Sequence, residues 1–548
     1  MYDGGRRPRR GGGRRYRGTR RRIAPVDLAL GLAVAAIVVF LGWQLWSATR
    51  VDVDIVGVEH EGAITFAASS GLQVAIDVEP TGRLSNATLT LDGESLERIA
   101  ERVDTGFRWR TDKALTAGVH RLVLTVPRPI LPPARFVWEF LVDAVPPRIQ
   151  VPATVLDPIG IDDPVAISGV VDTDATLTAN GDEVAVDDDG RFTVEYERAP
   201  AGPIRLTAVD RAGQTTIQEV YVPMRRPVTR GVHMSAISWS TPELRDAVLD
   251  LADRGIINTI EIDIKDEGGE VGWDTKVSLA HDIGAVRRYF DLASAVEEMK
   301  ERGLYVIGRV VAFRDPILAE GAWARGDHDW VLQGADGQPH PAYDRGFTNF
   351  MNSGVRKYNI DLALEAVDLG VDEILWDYVR RPEGSVAEMR IPGLAANESI
   401  EANVASFLSD AHGRIREAGA LQGASVFGIA SLRPEAIGQS VPLIAKAVDY
   451  IAPMVYPSLW VKGEYRVADP PRMPYEIVLR SLEDFQRKSA GTGVPIVPWL
   501  QDFNYIIDYG HEQVRDQVAA AKALGIESWL LWSPRVRYHA GLLEPVRD

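Results

Sequence analysis

The chain has 548 residues, which is too long for one ordinary hydrophobic core and predicts several domains. Its 46% hydrophobic and 25% charged residues are typical of folded protein and exclude a wholly disordered chain. The formal net charge of -17 argues against nucleic acid as a partner, because binding a polyanion needs a basic surface. Cysteine is absent, which excludes disulfide bonds, thiol catalysis and zinc sites with cysteine ligands.

The N-terminal segment predicts a membrane anchor. Residues 1–24 form an arginine-rich tail, and residues 28–46 are apolar except for Gln44. A helix of about 19 residues spans about 28 Å, close to the thickness of the hydrocarbon layer of a bilayer. Because arginines stay in the cytoplasm, we expect a single-pass anchor over 25–47 at the cell membrane, with the C-terminal domains extracytoplasmic. A cleaved signal peptide is the alternative, but WSATR offers no convincing cleavage site.

Residues 51–145 and 148–224 have the pattern of all-β sandwiches. Runs such as LQVAIDV and HRLVLTV alternate apolar and polar positions and are separated by turn residues. Two prolines in VDAVPPRIQVP separate the two segments. The second segment resembles the bacterial immunoglobulin-like accessory modules of extracellular carbohydrate enzymes through ANGDEVAVDDDGRF and TAVDRAG, and the first resembles them more loosely. The resemblance implies spacers or sugar-binding modules.

The periodicity changes in residues 230–548, where strands alternate with amphipathic helices. Helices are predicted at PELRDAVLDLADRG and LASAVEEMKERG, among others, because apolar residues recur at three and four positions and a glycine ends each run. Eight strand–helix units in about 320 residues predict a (β/α)₈ TIM barrel. A doubly wound open sheet is the alternative, but no glycine-rich phosphate loop follows any strand. The predicted strands are GVHMSAISW, INTIEIDIKD, LYVIGRVVAF, VDEILWDYV, GASVFGIAS, DYIAPMVYP, VPIVPWLQDF and IESWLLWSP.

The carboxyl ends of these strands predict a site. In a TIM barrel they meet at one mouth, where barrel enzymes place their chemistry. Carboxylates mixed with aromatic rings favour a sugar, whose hydroxyls need hydrogen bonds and whose ring faces stack on indole. The histidines show no metal-ligand spacing, so we predict neither a metal nor another cofactor. The strand ends supply His233, Trp239, Asp263, Lys265, Asp266, Arg309, Asp315, Asp377, Tyr456, Trp460, Trp499, Gln501, Asp502 and Trp532.

The ordered motifs of this region resemble the “putative glycoside hydrolase domain” family, a family of bacterial barrels. The motifs are IEIDIKDEGG, LYVIGRVVAFRDP, EILWDYVRRP, VFG, IGQS, DYIAPMVYPS, PWLQDF and WLLWSP. The resemblance implies a barrel fold, a glycosidase reaction, and a site containing Asp377, Tyr378 and Arg380 opposite Asp263, Lys265 and Asp266. Two positions depart from the family pattern, because Ser425 stands where the family has an acid and Arg381 where it has an aromatic residue.

Three functions stay open at this point. The first is a membrane-anchored hydrolase of a cell-envelope or capsular polysaccharide, with Asp377 as nucleophile or base and Arg380 orienting it. Its proton donor is Asp502 or an acid of the second strand, because glycosidic hydrolysis normally takes two carboxyl groups. The second is a carbohydrate-binding pseudoenzyme that lost its acid at Ser425, and the third is an inert surface scaffold. We expect substrate contacts from the side chains of Tyr378, Arg380, Lys265, Arg309, Tyr456, Trp499, Gln501 and Trp532.

Overall fold

A computed structural model describes residues 25–540 and 543–545. The arginine-rich tail predicted for residues 1–24 lies outside the described residues. The first described element is the helix Pro25–Thr49, in which Ala29–Thr49 is long and apolar enough to cross a membrane. A signal sequence near an N-terminus passes the same test of length and composition.

Contacts divide the chain into two units. One unit reaches to Pro146 and includes Val209–Gln214, and the other contains Pro147–Ala208 and the chain from Thr215 onward.

The first unit contains two β-sheets around an apolar core. Its four-stranded antiparallel sheet has the order Asp52–Val56, Gln73–Glu79, Gly106–Arg110 and Glu101–Val103. Its five-stranded sheet has the order Gly62–Thr65, Ala134–Asp143, Gly118–Val126, Thr88–Leu91 and Glu94–Ser95. Alternate residues of both sheets are buried, as the sequence pattern predicts. The core includes Ile76, Trp109, Leu122, Leu124 and Phe140.

The second unit begins with a smaller pair of sheets. The three-stranded sheet has the order Ile149–Gln150, Val165–Val171 and Arg191–Tyr196, and the four-stranded sheet has the order Asp182–Val184, Thr176–Ala179, Ile204–Val209 and Thr215–Val220. Ile167, Leu177, Phe192 and Leu206 are buried in their core. The all-β character predicted for both regions is confirmed, and their immunoglobulin-like class stays a prediction.

The rest of the second unit is a closed barrel of eight parallel strands, which confirms the predicted barrel. In chain order the strands are β1 (Arg230–Met234), β2 (Thr259–Lys265), β3 (Tyr305–Val311), β4 (Glu373–Asp377), β5 (Leu421–Phe427), β6 (Tyr450–Met454), β7 (Trp499–Gln501) and β8 (Trp529–Trp532). The longer helices around it are Pro242–Asp253, Leu292–Glu301, Pro316–Arg325, Ser353–Asp368, Ile400–Glu417, Pro474–Lys488 and His511–Ala523.

The helical layer is less regular than eight repeated units would give. β5 and β6 are joined by 3₁₀ turns and the short helix Val441–Ile444, and no helix follows β8 within the described residues. The first predicted strand also ends early, because Ser235 caps a short helix, Ala236–Trp239, with its hydroxyl oxygen accepting from the Ser238 amide at 3.3 Å. Trp239 therefore packs in the layer between barrel and helices.

A buried ion pair closes the amino-terminal end of the barrel. Arg226, in the linker before β1, donates to both carboxylate oxygens of Glu373 at 2.7 and 2.9 Å. Tyr305 donates to the same carboxylate at 3.0 Å, and the guanidinium of Arg226 lies 4.2 Å from the ring of Tyr450. Groups at this end of a barrel serve stability, so Glu373 belongs to the scaffold although it lies on the same strand as Asp377.

Candidate active site

One arginine, Arg309 on β3, joins carboxylates of β2, of the loop after β2 and of β4 at the barrel mouth. Its Nε and Nη2 donate to Asp377 Oδ2 at 2.9 and 2.7 Å, and its Nη1 donates to Asp263 Oδ1 at 2.7 Å. Nη1 also donates to Glu267 Oε2 at 3.2 Å, and Nε lies 3.8 Å from Glu261 Oε1. The side chain of Arg309 is 2% exposed. A single buried cation is therefore shared among four acids.

Strand alternation explains why these groups meet. Glu261 and Asp263 are two residues apart on β2, so both point into the barrel while Ile262 and Ile264 pack outward against the helices. Arg309 lies opposite Asp263 on β3. After Asp263 the register of the β2–β3 pair shifts by a bulge, which ends the alternation before Lys265.

A histidine completes the cluster on β1. His233 Nδ1 lies 2.6 Å from Glu261 Oε2, and its Nε2 lies 3.7 Å from Asp263 Oδ2. The ring of Trp532 stacks on His233 at 4.1 Å between centroids and lies 5.0 Å from the Arg309 guanidinium. Burial acts to lower the pKa of His233, but the charges of Glu261 and Asp263 outweigh burial and raise it.

The same charges shift two carboxyl pKa values in opposite directions. Burial raises the pKa of Asp263 to about 6, although Arg309 and His233 act to lower it. Burial also acts to raise the pKa of Glu267, but the charge of Arg309 and hydrogen bonds outweigh it, so this pKa falls to about 2. Of these two carboxyl groups, Asp263 is therefore the one whose pKa lies closer to neutral pH.

Asp377 ends β4 in the position that the sequence predicts. Its Oδ1 accepts from the amide of Tyr378 at 2.7 Å, in addition to the two donors from Arg309. Tyr378 has a φ of +51°, an uncommon conformation for a residue with a side chain. The turn sends the Tyr378 ring to Tyr343 and Phe347, with centroids 6.1 and 6.4 Å away.

The prediction that Arg380 orients Asp377 is wrong, because the described contacts of Arg380 lie elsewhere. Arg380 Nη2 donates to the hydroxyl of Tyr343 at 3.1 Å and lies 3.4 Å from the carboxylate of Glu383. Its guanidinium also lies 4.2 Å from the ring of Phe427. The side chain turns away because Arg380 lies past the end of the strand and past the left-handed residue Tyr378.

Lys265 and Asp266 lie beside the Arg309 cluster but make other contacts. Lys265 is fully buried and donates to Asp315 at 2.6 Å, with the ring of Tyr358 at 5.2 Å. Asp315 also caps the next helix by accepting from the Leu318 amide at 2.8 Å. Asp266 Oδ1 accepts from the amides of the following turn, and burial raises the pKa of Asp266 to about 6.

Asp502 is engaged by a histidine of the last loop. Its Oδ2 accepts from the His539 amide at 2.7 Å, and its Oδ1 lies 2.7 Å from His539 Nδ1. Burial raises the pKa of this carboxyl, and the side chain is fully buried. Among the described residues, Asp502 forms no hydrogen bond or ion pair with Arg309.

Of the predicted substrate-binding side chains on β7 and β8, two are buried and one is partly exposed. Gln501 is fully buried and holds the loop after β6, donating to Ser458 Oγ and to the Phe503 carbonyl, each at 2.9 Å. Trp499 is buried in the barrel and donates to Ser425 Oγ at 3.0 Å. Trp532 is partly exposed beside the cluster.

Tyr456 lies near the carboxylates of the mouth. Its ring meets Phe503 edge to face at 5.5 Å, and the side chain is almost entirely buried. Burial, together with the charges of Asp377 and Glu261, raises its pKa well above the usual range. Tyr456 therefore keeps its proton and can act as a hydrogen-bond donor in the mouth.

Sequence reasoning missed three members of the cluster. Glu261 and Glu267 are acids of the IEIDIKDEGG motif, and period-two alternation from Asp263 identifies Glu261 as inward-facing. Tyr538, whose hydroxyl donates to the carbonyl of His233, lies in a loop without a strand-end signal. Only the folded chain brings it to the mouth.

Three of these residues could hold a metal ion by spacing alone. The ligand atoms of His233, Glu261 and Asp263 lie within 4.8 Å of one another. Arg309 already supplies a cation at 2.7 Å from Asp263 and 3.8 Å from Glu261, and a metal ion would be repelled by it. We therefore describe the group as an ion-paired cluster, and the absence of a cofactor stays a prediction.

Comparison with known proteins gives one match to a family and several likenesses of shape. The sequence model of the family described as “Putative glycosyl hydrolase domain” matches residues 231–538. The chain is similar to the PgaB (BpsB) glycoside hydrolase domain from Bordetella bronchiseptica at 14% identity and a TM-score of 0.41, covering 57% of this chain and 95% of that one. No curated protein matches the chain.

Two further solved structures show the same kind of likeness. TtGalA, an alpha-galactosidase from Thermus thermophilus, is 16% identical with a TM-score of 0.37, covering 82% of this chain and 89% of that one. A hypothetical protein from Ruminiclostridium thermocellum is 26% identical with a TM-score of 0.31, covering 35% of this chain and 96% of that one. TM-scores this low support no conclusion about chemistry.

Replacing Arg309 with methionine should destabilise the protein in a pH-dependent way. Breaking a buried ion pair by removing one partner costs about 3–5 kcal/mol, because the remaining charges are left uncompensated. The freed carboxylates would bind protons more tightly, so acid should stabilise the variant relative to the wild type. We expect the deficit in unfolding free energy, measured by urea titration of tryptophan fluorescence, to be smaller at pH 5 than at pH 7.5.

The exposed Arg535, which makes no ion pair among the described residues, provides the control. Arg535→Met should leave the unfolding free energy nearly unchanged at both pH values. A deficit for Arg309→Met that is the same at both pH values would contradict the shared-cation account.

Proposed function

We propose, because the chain belongs to the “Putative glycosyl hydrolase domain” family, that its barrel hydrolyses O-glycosidic bonds of a cell-envelope or capsular polysaccharide. The observation that carries the proposal is the contact of one guanidinium with Asp263 and Asp377 at the mouth. Two carboxyl groups beside one reaction centre are what most glycoside hydrolases require. Arg309 holds both in place and lies too deep to be a surface ion pair.

The two acids take different roles in this proposal. Asp263, whose pKa is raised to about 6, holds the proton that passes to the glycosidic oxygen as the bond from that oxygen to the anomeric carbon breaks. Asp377 acts as the nucleophile at the anomeric carbon or as the base that removes a proton from water. In either case one water molecule is consumed, and both carboxyl groups return to their starting states.

Other acids fit these roles less well, because neither Asp502 nor Asp266 has a described contact with Arg309. Asp502 is held by His539, and Asp266 holds the turn that follows it. Ser425 is buried and accepts a hydrogen bond from Trp499. An acid at this position is not needed, because Asp263 on β2 and Asp377 on β4 already supply the two carboxyl groups. This reading favours an active hydrolase over a pseudoenzyme that lost its acid at Ser425.

Aromatic side chains would supply the sugar contacts. Trp532 is partly exposed and lies against both His233 and Arg309, so a pyranose ring stacked on its indole would reach the carboxylates. Tyr456, which follows the end of β6, offers a neutral hydroxyl group as a hydrogen-bond donor. Their stacking faces tolerate different sugars, while the ring hydroxyls would be recognised by the polar groups of the loops.

We further propose that the helix Pro25–Thr49 anchors the enzyme and leaves the barrel outside the cytoplasm. Support comes from its 21-residue apolar stretch and from the arginines that precede it in the sequence. The two pairs of β-sheets, which lie between the helix and the barrel in the chain, would then act as immunoglobulin-like spacers. A membrane-bound enzyme with this arrangement reaches polymers of the envelope that surrounds its own cell.

The pH dependence of hydrolysis should identify the proton donor. Because Asp263 must be protonated to act, kcat/KM on a polysaccharide substrate should fall as the pH rises through about 6. We expect Asp263→Asn to lower kcat/KM by about 10² to 10⁴ and to remove this descending limb. Asp266→Asn is the matched control, since its carboxyl has a similar pKa, and it should keep the limb. A limb that disappears with Asp266 instead would contradict the assignment to Asp263.

The proposed topology can be tested by thiol labelling, because the native chain contains no cysteine. In intact bacterial cells, a membrane-impermeant maleimide should label Asp112→Cys, an exposed position of the first unit, and should not label Thr19→Cys until the cells are lysed. Equal labelling at both positions, or loss of the tail from the mature chain, would rule out an uncleaved anchor with a cytoplasmic N-terminus.

A further inference from the structure

Arg314 is a cation without an acidic partner beside the proposed active site. It follows the end of β3 by three residues and is half-buried, and no carboxylate of the described residues forms an ion pair with it. Its Nη1 donates to the hydroxyl of Tyr378 at 2.9 Å. Its guanidinium lies 4.9 Å from the ring of Tyr343 and 5.2 Å from the ring of Tyr378. The side chain is therefore held by aromatic contacts and not by a counter-ion.

The hydrogen-bonding capacity of Arg314 is only partly used. Its Nε is buried without a partner, and among the described residues Nη2 makes no hydrogen bond. Nη2, unlike Nε, is not fully buried and is therefore accessible to solvent. An arginine that is fixed in place with a free N–H group loses little conformational entropy when an anion binds.

The neighbouring Arg380, unlike Arg314, has an acidic partner. The guanidinium of Arg380 lies 4.6 Å from the ring of the same Tyr378, and its charge is met by Glu383 at 3.4 Å. Glu383 also accepts from the hydroxyl of Tyr343 at 2.9 and 2.7 Å. The cage formed by Tyr343, Tyr378, Arg314, Arg380 and Glu383 thus holds two cations and one carboxylate, which leaves one positive charge unmatched.

The cage adjoins the carboxylate that we assign to catalysis. Asp377 accepts from the amide of Tyr378, and the hydroxyl of the same tyrosine accepts from Arg314. Three consecutive left-handed residues, Tyr343, Asp344 and Arg345, bring the Tyr343 ring over the arginines. Backbone strain of this kind persists where the surrounding structure enforces it and is typical of ligand sites.

We propose that this cage is a subsite for an anionic substituent on a sugar, such as the carboxylate of a uronic acid or a phosphate ester. Arg314 supplies the charge and the free N–H group, and the tyrosine rings hold its guanidinium in place. The role as a subsite for substrate rests on the proposed hydrolase function, but the binding itself does not. The polymer on which the barrel acts is then an acidic polysaccharide.

Binding of small sugars to the full chain in detergent tests the subsite directly. D-glucuronate, glucose 6-phosphate and the neutral D-glucose are titrated at constant ionic strength, and dissociation constants are measured by saturation-transfer NMR. Charge-assisted hydrogen bonds contribute about 1.5 kcal/mol or more, so we expect at least one of the two anions to bind about tenfold more tightly than glucose. The anion that binds more tightly identifies carboxylate or phosphate as the natural substituent.

Variants separate the cage from nonspecific charge. Arg314→Gln should abolish the preference for the anion, and Arg314→Lys should keep part of it. Arg390→Gln, which removes an exposed arginine of the segment after β4, should keep all of it. Each variant is compared with the wild type by its unfolding midpoint, so that misfolding is recognised. Arg314→Lys serves as the second test if Arg314→Gln does not fold, because it preserves the charge.

The inference is overturned if neither anion binds more tightly than glucose, including the case in which no sugar binds, or if Arg390→Gln removes the preference as fully as Arg314→Gln. Its failure can be told from failure of the proposed function. Loss of anion preference with continued hydrolysis that depends on Asp377 removes the subsite alone. Anion preference that persists in a protein without hydrolysis removes the hydrolase alone.

Discussion

The buried guanidinium of Arg309 is the interaction on which the rest of the mouth depends. Four acids, Glu261, Asp263, Glu267 and Asp377, lie within 3.8 Å of it, and His233 shares two of them. Charges taken out of water are costly unless they are paired and hydrogen-bonded. One cation among four carboxyl groups leaves negative charge in excess. The site therefore binds protons near neutral pH, as the raised pKa values of Asp263 and His233 indicate. The constraint that holds the acids in place is thus also the one that prepares a proton donor.

Much of this architecture can be predicted from the sequence because it follows from periodicity. The eight strands alternate with helices at readable spacing, and Asp377 and Asp263 end or nearly end strands whose apolar residues identify them. Glu373 lies four residues before Asp377 on the same strand, so its place at the opposite end of the barrel follows from strand geometry. These conclusions need no knowledge of how side chains meet across the barrel.

The partners of the acids could not be predicted, because they depend on local departures from regular strands. The bulge after Asp263 takes Lys265 out of the alternation and into a pair with Asp315. The left-handed backbone of Tyr378 turns Arg380 toward Glu383, so that Asp377 is left to Arg309. A residue 37 positions further along the chain, His539, occupies Asp502. Such contacts arise from tertiary structure, and sequence spacing carries no record of them.

The two arginines of the EILWDYVRRP motif illustrate how similar residues acquire different uses. Arg381 is buried and donates to the carbonyl oxygens of Pro382 and Gly384 at 2.8 and 3.0 Å and to the carbonyl of Glu435 at 2.6 Å, which braces two loops. Arg380 belongs to the aromatic cage and shares it with Arg314.

The measurement that tests the central claim most directly is release of reducing ends from a panel of envelope and capsule polysaccharides by the full chain and by Asp377→Asn. The account predicts that at least one acidic polymer is cleaved and that the substitution reduces its cleavage by about 10³ or more. Cleavage that continues at the wild-type rate in Asp377→Asn, or binding without cleavage by both proteins, would contradict it.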